Sequence, residues 1–579
     1  MAVTSSGDGN FSSVIAGGLS VNDDVIIDHD VTMDGHAPNV NSLVINSGKT
    51  LTGGGYKITL DGENGSGFVI TNDGSISGNL DLEINTNGTT SLNIGGSAGN
   101  CFRDLKINTA TTVLHLHTNT FIDGQLTIAA GELRTFTEGN SQRSLTCDGS
   151  DISVSSGAQL TINDSQISSR KLTSSGTLSG TGGNFTVTGA GLGDTTRTID
   201  LGGTVTGDVD ITLTGAGNNR HEDLQAATGN IRNLTINNAA AVIHTGRDTT
   251  IDGDLTITAG TLSTDDSGTS VDLTVGGGIK NTGTLTANAS TIIITGEISG
   301  FAFDQMGTFN AGTSTVQIGD GSTSTVGSST HFKSNNCHNL IINQHQDAPN
   351  GNVAWRAYTG TEVTIGGNLT VTRGRFYRNT STQDLTVTGD VDIASVGQVG
   401  TSAASGSNTF GGIRINSGGT YLATSGTTTV TNRFTGTSNL WKNDGGTFTH
   451  NNGTVKFTDN DHSKVKEQGS FYNFEQASSL GDYALVWETA GGGSCTILNN
   501  LTITRGDFEI DAAGDTLDIY GQTIINGSSN SGARFNNDKN QTGTITHHGL
   551  VTIIQGTYHV EDGATVNMAG IRNVGGLVD

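Results

Sequence analysis

The chain has 579 residues, with 86 glycines and 2 prolines; 32% are apolar, 14% are charged, and 28 basic against 54 acidic side chains give a net charge of −26. So small an apolar share excludes thick globular cores, and so few charges exclude an ordinary disordered tail. The acidic field repels a nucleic-acid backbone or an anionic membrane, and no apolar run approaches the roughly 20 residues that span a bilayer.

Residues 1–75 read as an N-terminal cap module, with its best strands at Asn22-Asp23-Asp24-Val25-Ile26-Ile27-Asp28 and Ser42-Leu43-Val44-Ile45-Asn46. Met1 to Asp8 has neither the basic nor the apolar region of a secretory signal. The expectation is a protein that never uses that export route or has lost its signal.

Four imperfect repeats follow, at 76–190, 191–300, 301–430 and 431–544. Their anchor reads Leu126-Thr127-Ile128-Ala129-Ala130-Gly131. It returns as Leu255-Thr256-Ile257-Thr258-Ala259-Gly260, Leu369-Thr370-Val371-Thr372-Arg373-Gly374 and Leu501-Thr502-Ile503-Thr504-Arg505-Gly506. The intervals between successive anchor leucines are long and similar but not equal, the one from Leu255 to Leu369 being the shortest. An upstream anchor precedes each: Asp104-Leu105-Lys106-Ile107, Asn233-Leu234-Thr235-Ile236, Asn339-Leu340-Ile341-Ile342 and the weaker Asn473-Phe474-Glu475-Gln476. The interval from upstream to downstream anchor is identical in the first two copies, Leu105 to Leu126 and Leu234 to Leu255. It is longer in the third, Leu340 to Leu369, and in the fourth, Phe474 to Leu501.

Three residues before each upstream anchor's apolar position stands another apolar residue: Phe102, Ile231, Cys337 and Phe471. Cys337 therefore reads as a small buried apolar side chain. The other cysteines, Cys101, Cys147 and Cys495, are equally scattered and form no CxxC pair, so neither a zinc site nor a disulfide framework is indicated. Further strands are expected at Gly307–Asn310 leading to Thr315–Ile318, at Gly446–Thr449 leading to Thr454–Phe457, and after the anchors at Asp272–Val275 and Asp384–Thr388. Residues 545–579 read as a C-terminal cap module, with strands Val551–Ile554 and Ala564–Asn567.

Apolar residues alternate with Thr, Ser, Asp or Asn in short runs, and no segment has a 3.6-residue period. A long repeat of this kind predicts an all-β, elongated parallel β-helix, or solenoid. At roughly 4.8 Å per strand step, about 20–25 turns make a rod on the order of 100 Å.

The run Gly307-Thr308-Phe309-Asn310-Ala311-Gly312-Thr313-Ser314-Thr315-Val316, followed by Asn339–Asn343 and Gly367–Gly374, resembles β-helical adhesin-like repeats. Such repeats occur in bacterial autotransporter-like surface proteins and in fibre or other virion proteins of tailed, often marine, bacteriophages. The resemblance spans about four-fifths of the sequence. It implies a β-helical fold and a structural or adhesive role, and it brings no catalytic residue with it.

Trp355 and Trp487 stand at the same interval before an anchor leucine, Leu369 and Leu501 respectively, in the two longer anchor-to-anchor segments. With Arg356, Tyr358 and Tyr483 they are the candidate contacts for a glycan or a partner chain. Alternation also allows the simpler reading that Val353 with Trp355, and Leu485 with Trp487, face the core. His115 and His117 are spaced to share one strand face and are the weak metal candidates, short of a closed site in one chain. In His547-His548 the adjacent imidazoles face opposite ways. Asp-rich turns at Asn22–Asp24, Asp61–Glu63 and Asp459–His462 could hold Ca²⁺, but none completes a known loop, and solvated turn is the better reading.

No catalytic motif stands out, so the expectation is a non-enzymatic protein without cofactor: a tail fibre, spike or capsid decoration on a phage virion, contacting host glycan or other virion proteins. The alternatives are a bacterial surface adhesin and a polysaccharide-degrading tailspike. A homotrimer is expected, with the two tryptophan segments as contact points.

Overall fold

The structure, a computed structural model, describes all residues except 16, 191, 193–196, 216–219, 323–328, 349, 357–361, 403, 460, 468, 479–483, 489–492, 511–515, 529–531, 538–543 and 561–564. For 110, 111, 148, 240, 241, 329, 356, 484, 488 and 537 it describes the backbone alone. The chain is an all-β parallel solenoid of about 22 turns, 59% strand and 1% helix. It divides into two compact units, one of residues 1–276 with 280–288 and one of 277–279 with 289–579. No helix is long and apolar enough to cross a membrane among the described residues.

The repeat has a direct structural meaning. In the first unit Leu105 pairs with Leu126 and Ile107 with Ile128, and Leu234 pairs with Leu255 and Ile236 with Ile257. In the second unit Leu340 pairs with Leu369 and Phe474 with Leu501. The upstream anchor is thus one coil and the downstream anchor the next, stacked in parallel register, and the spacing between them is the length of one coil. The paired leucines are buried because alternation sends them inward from both coils.

In all four anchor pairs the register slips by one residue just after the core isoleucine or its equivalent. Asn108 pairs with Ala130, Asn237 with Ala259, Asn343 with Arg373 and Ala477 with Arg505. The extra residue is a β-bulge that bends the coil. The anchor glycine follows it at positive φ: 84° at Gly131, 82° at Gly260, 90° at Gly374 and 82° at Gly506. A Cβ on Gly131 would fall onto the Thr109 carbonyl of the coil below. This corner accounts for the recurrence of glycine in the anchor.

The slot before the upstream anchor is a core position throughout: Phe102, Ile231, Cys337 and Phe471 are all buried, and all four cysteines are free and buried. At the start of the first unit a helical turn, Phe11–Val14, lays Phe11 and Val14 against the first coil. In the last described coil Ile571 and Val578 stand in register on buried Val551 and Tyr558, yet are exposed.

Candidate functional site

The tryptophans belong to the core, which corrects their assignment as contact residues. Trp355, on strand Asn352–Arg356, is 0% exposed. It meets Phe332 edge-on at 4.7 Å and Phe376 at 5.9 Å, and its Nε1 donates to the Ser334 carbonyl at 2.9 Å. Trp487, on strand Ala484–Glu488, is 2% exposed and stacks on Phe474 at 5.2 Å. Alternation decides both cases: Val353 and Leu485 point inward, and the tryptophans two residues on follow them. Neither indole is open to a sugar or to another chain. The Arg356 side chain, Tyr358 and Tyr483 lie outside the described residues.

His115 and His117 differ in exposure: His115 is covered and His117 is open. His115 is 4% exposed between two fully buried leucines, Leu114 and Leu116, with Nδ1 3.1 Å from the Phe136 carbonyl and its ring edge-on to Phe136. Leu114 and Leu116 face the core, while His115 stands on the outer face in register with Ser91 and is covered there by Phe136 of the excursion that follows Arg134. His117 alone reaches the surface. Among the described residues no three His, Cys, Asp or Glu side chains converge to hold a metal ion. His547 is buried and His548 exposed, as adjacency on a strand requires.

Several acidic turn side chains are engaged within the protein. Asp23 accepts from Ser20 N and Oγ, Asp24 from Asn41 and Ser42, and Asp61 from Asn39. Asp459 accepts from Ser463, and Asp461 pairs with Arg433 at 2.8 Å. The last two acids line a polar cleft of about 270 Å³ in the second unit, with Asp390 and Asn432. Arg433 lines it too, and is already engaged by Asp461.

A larger cleft in the first unit, about 610 Å³, is the best candidate site. Its floor is the outer face of stacked coils, where Ser91 pairs with Phe68 on one side and with His115 on the other. One wall is the turn Asn64–Gly67, closed by Gly67 N donating to the Asn64 carbonyl at 3.0 Å. The other is an excursion in which the chain leaves the coil after Arg134. Phe136 and Gln142 bridge in antiparallel fashion, Thr137 N donates to Ser141 O at 3.0 Å, and Arg143 N donates to Thr135 O at 2.9 Å. Asn140 turns the tip at φ 62°.

The lining is chemically rich. Ser66, Thr89, Ser91, Thr137 and Ser141 bring hydroxyls. Phe68 and His117 meet edge-on at 5.1 Å and form an aromatic rim. Arg143 is clamped by donating Nε to the His117 carbonyl at 2.6 Å and Nη1 to the Gln142 carbonyl at 2.8 Å, which leaves Nη2 for a ligand. Glu63 and Glu138 also line the cleft, and neither carboxylate has an ion pair or side-chain hydrogen bond among the described residues. Donors, acceptors and one apolar rim in a volume of this size suit a polyhydroxylated ligand. No motif marks these residues; what joins them is coil stacking, which brings positions a whole coil apart in sequence into contact.

No family model, no curated protein and no solved structure matches this chain.

Proposed function

We propose that this protein is a structural and adhesive component of a tailed-phage virion, a fibre, spike or capsid decoration, that holds a host-surface glycan in the cleft between Asn64–Gly67 and the 135–143 excursion. One observation carries the reading: a clamped arginine, two carboxylates without protein partners among the described residues and five hydroxyls converge on an open cleft of about 610 Å³ built on a rigid ladder. A site on stacked coils is preorganised, so little ordering is needed on binding. The acidic chain and its hydroxyl-covered coils suit a solvent-exposed display scaffold. The same scaffold would serve a bacterial surface adhesin, and antibodies that decorate virions rather than cells discriminate the two.

Glu63 and Glu138, both free of cations among the described residues, favour one second reading, a tailspike that cleaves the glycan it binds. The test is a panel of bacterial capsular and lipopolysaccharide glycans read for both binding and new reducing ends. Binding without cleavage, weakened at least about tenfold by Arg143→Ala, supports the adhesive reading; a tenfold loss is about 1.4 kcal/mol, one charge-assisted hydrogen bond. Cleavage abolished by Glu63→Gln or Glu138→Gln supports the tailspike. No binding across the panel, or binding indifferent to Arg143, overturns the assignment of the cleft. A homotrimer remains part of the proposal, with contacts elsewhere than Trp355 and Trp487; sedimentation giving a 59.4 kDa monomer at micromolar concentration sets it aside.

A further inference from the structure

One wall of the cleft in the first unit carries an Asn-Gly step, Asn64-Gly65, inside the turn Asn64–Gly67. Asn64 Oδ1 accepts from Ser66 N at 2.9 Å and from Phe68 N at 3.1 Å. Asn64 N donates in turn to the Phe68 carbonyl at 2.8 Å. Two main-chain donors therefore fix the side-chain amide and draw charge away from its carbon, Cγ. Neither Asn64 Nδ2 nor Gly65 N has a hydrogen-bond partner among the described residues. Gly65 is exposed, and a Cβ placed on it would meet nothing within 4 Å.

The same dipeptide recurs at Asn87-Gly88, Asn350-Gly351, Asn452-Gly453 and Asn526-Gly527, and there the glycine nitrogen is committed. Gly88 N donates to Thr112 Oγ1 at 3.1 Å and Gly351 N to the Asp347 carbonyl at 3.3 Å. Gly453 N donates to the His450 carbonyl at 2.9 Å and Gly527 N to the Gln555 carbonyl at 2.6 Å. Each of these bonds has to break before the nitrogen can act as a nucleophile. Of these steps, Asn64-Gly65 is the one that combines a glycine nitrogen without a partner among the described residues with two donors already in place on Oδ1.

We propose that Asn64 is a site of spontaneous deamidation that remodels this wall of the cleft. Gly65 N gives up its proton to hydroxide and attacks Asn64 Cγ, closing a five-membered succinimide. The Cγ–Nδ2 bond breaks, and Nδ2 takes a proton from water and leaves as ammonia. The charge that gathers on Oδ1 in the tetrahedral intermediate faces the Ser66 and Phe68 N–H groups, an arrangement that stabilises an oxyanion. Glycine leaves the backbone free to reach the attack geometry. Water then opens the ring at either carbonyl, so that asparagine and water give aspartate or isoaspartate and ammonia, with no oxidant or cofactor. Aspartate keeps the bonds from Ser66 N and Phe68 N and makes them charge-assisted. Isoaspartate carries the main chain through Cβ and Cγ, lengthens the wall by one methylene and turns Oδ1 into a main-chain carbonyl. Either product adds a negative charge next to Glu63, on the wall that faces the excursion bearing Arg143. The effect on a ligand rests on the glycan reading of the cleft: the added charge weakens the hold on an anionic glycan.

The test holds the folded full chain at mildly alkaline pH and follows every Asn-Gly step by peptide mass spectrometry, with enzymatic methylation to count isoaspartate. Asn64 should convert at least about tenfold faster than each of the other steps, a difference of about 1.4 kcal/mol in barrier. In urea, where the glycine nitrogens are all released, the rates should converge. Gly65→Ala, whose Cβ has open space in the folded turn, should slow conversion of Asn64 by about tenfold. Asn64→Asp, the stable form of one product, should bind an anionic glycan about two- to fivefold more weakly than the parent, the range of an exposed charge pair. The masses decide the modification whether or not the cleft holds a glycan, so failure of this site and failure of the glycan reading are separate results. An Asn64 that converts no faster than the other steps in the folded chain, or that reacts only once urea opens the coils, overturns the site. Equal binding of an anionic glycan by the parent and Asn64→Asp overturns its effect on the cleft.

Discussion

His547 should make the C-terminal coils of the second unit acid-labile, by an amount that follows from its surroundings. The ring is buried, with Nδ1 2.8 Å from Thr523 Oγ1 and Nε2 2.9 Å from the Tyr558 hydroxyl. Two hydroxyls satisfy a neutral imidazole in either tautomer, but they supply no counter-charge. Burial, with a smaller contribution from neighbouring His548, lowers its pKa from 6.5 to about 4. The unfolded chain takes up this proton below about pH 6.5 and the folded chain only near pH 4, so stability rises with pH across that window and is lost as pH falls through it. The difference of about 2.5 units, at about 1.4 kcal/mol each, is about 3 kcal/mol, of which about 2 kcal/mol is gone by pH 5.

Solenoids open locally, so the assay is hydrogen exchange read on strands Thr523–Asn526, Thr544–His547 and Val551–Gln555, corrected for intrinsic rates. His547→Gln is the reference, because it cannot titrate while other carboxylates and imidazoles contribute equally to both proteins. The parent should lose about 2 kcal/mol more protection than the variant between pH 7 and pH 5. Equal pH dependence in the two proteins, or a measured His547 pKa near 6.5, would refute the reasoning.

Trp355→Ala should cost about 3–5 kcal/mol by urea unfolding, because it empties a fully buried site between Phe332 and Phe376 and leaves the Ser334 carbonyl without its donor; Trp355→Phe should cost clearly less. Gly131→Ala should destabilise by more than the roughly 1–2 kcal/mol of left-handed backbone, since its Cβ also strikes Thr109; Gly157→Ala, at φ 80° with open space around it, should cost the backbone contribution alone. Glu222→Ala should cost about 3–5 kcal/mol in thermal or urea unfolding, because it leaves buried Arg220 without the carboxylate 3.5 Å away, and replacing both residues by leucine and methionine should recover most of that loss. All four thiols should be silent to a thiol reagent until the coils open, Cys101 because burial and the nearby Asp123 raise its pKa to about 12, and Cys337 because burial alone pushes its thiol well up.

The fold is legible because the solenoid repeats one simple instruction. Leu105 with Leu126 and Leu234 with Leu255 are the same inward position on successive coils, and the interval they share is the coil itself. Cys337 can be placed in the core for the same reason, by its equivalence to Phe102, Ile231 and Phe471. His115 cannot, because alternation sends it outward, and it is covered only by Phe136 of an excursion 21 residues on that no local pattern announces. For the tryptophans the periodic reading is right and the functional one wrong: bulk in an inserted segment marks a wider coil that needs filling as readily as it marks a contact surface. The cleft is illegible because it gathers residues from Glu63 to Arg143, joined only by the stacking of coils of unequal length. The pairing of His221 with His244, whose rings stack at 4.6 Å, is nearer to view, since its interval is close to that from Leu234 to Leu255, and two like residues one coil apart stack.

Where chemistry can sit in such a fold follows from what the coils have already committed. Backbone N–H and C=O groups of a coil are used by the coils above and below, and every second side chain is held in the core. What remains on a straight face is a row of outward Thr, Ser and Asn, with charges that pair along the row, as Arg103 does with Asp81 and Arg232 with Asp210. Such a face has relief too shallow to surround a ligand. A site needs the chain to leave its coil, so that backbone and side chains freed from the ladder rise beside it. Residues 135–143 do this and wall the cleft; residues 264–271 do it and bring Asp265 and Asp266 to the stacked histidines, His244 and His221. In both places the coils supply the floor and the excursion brings further side chains beside it. Function in this chain is therefore to be sought in the interruptions of its repeat.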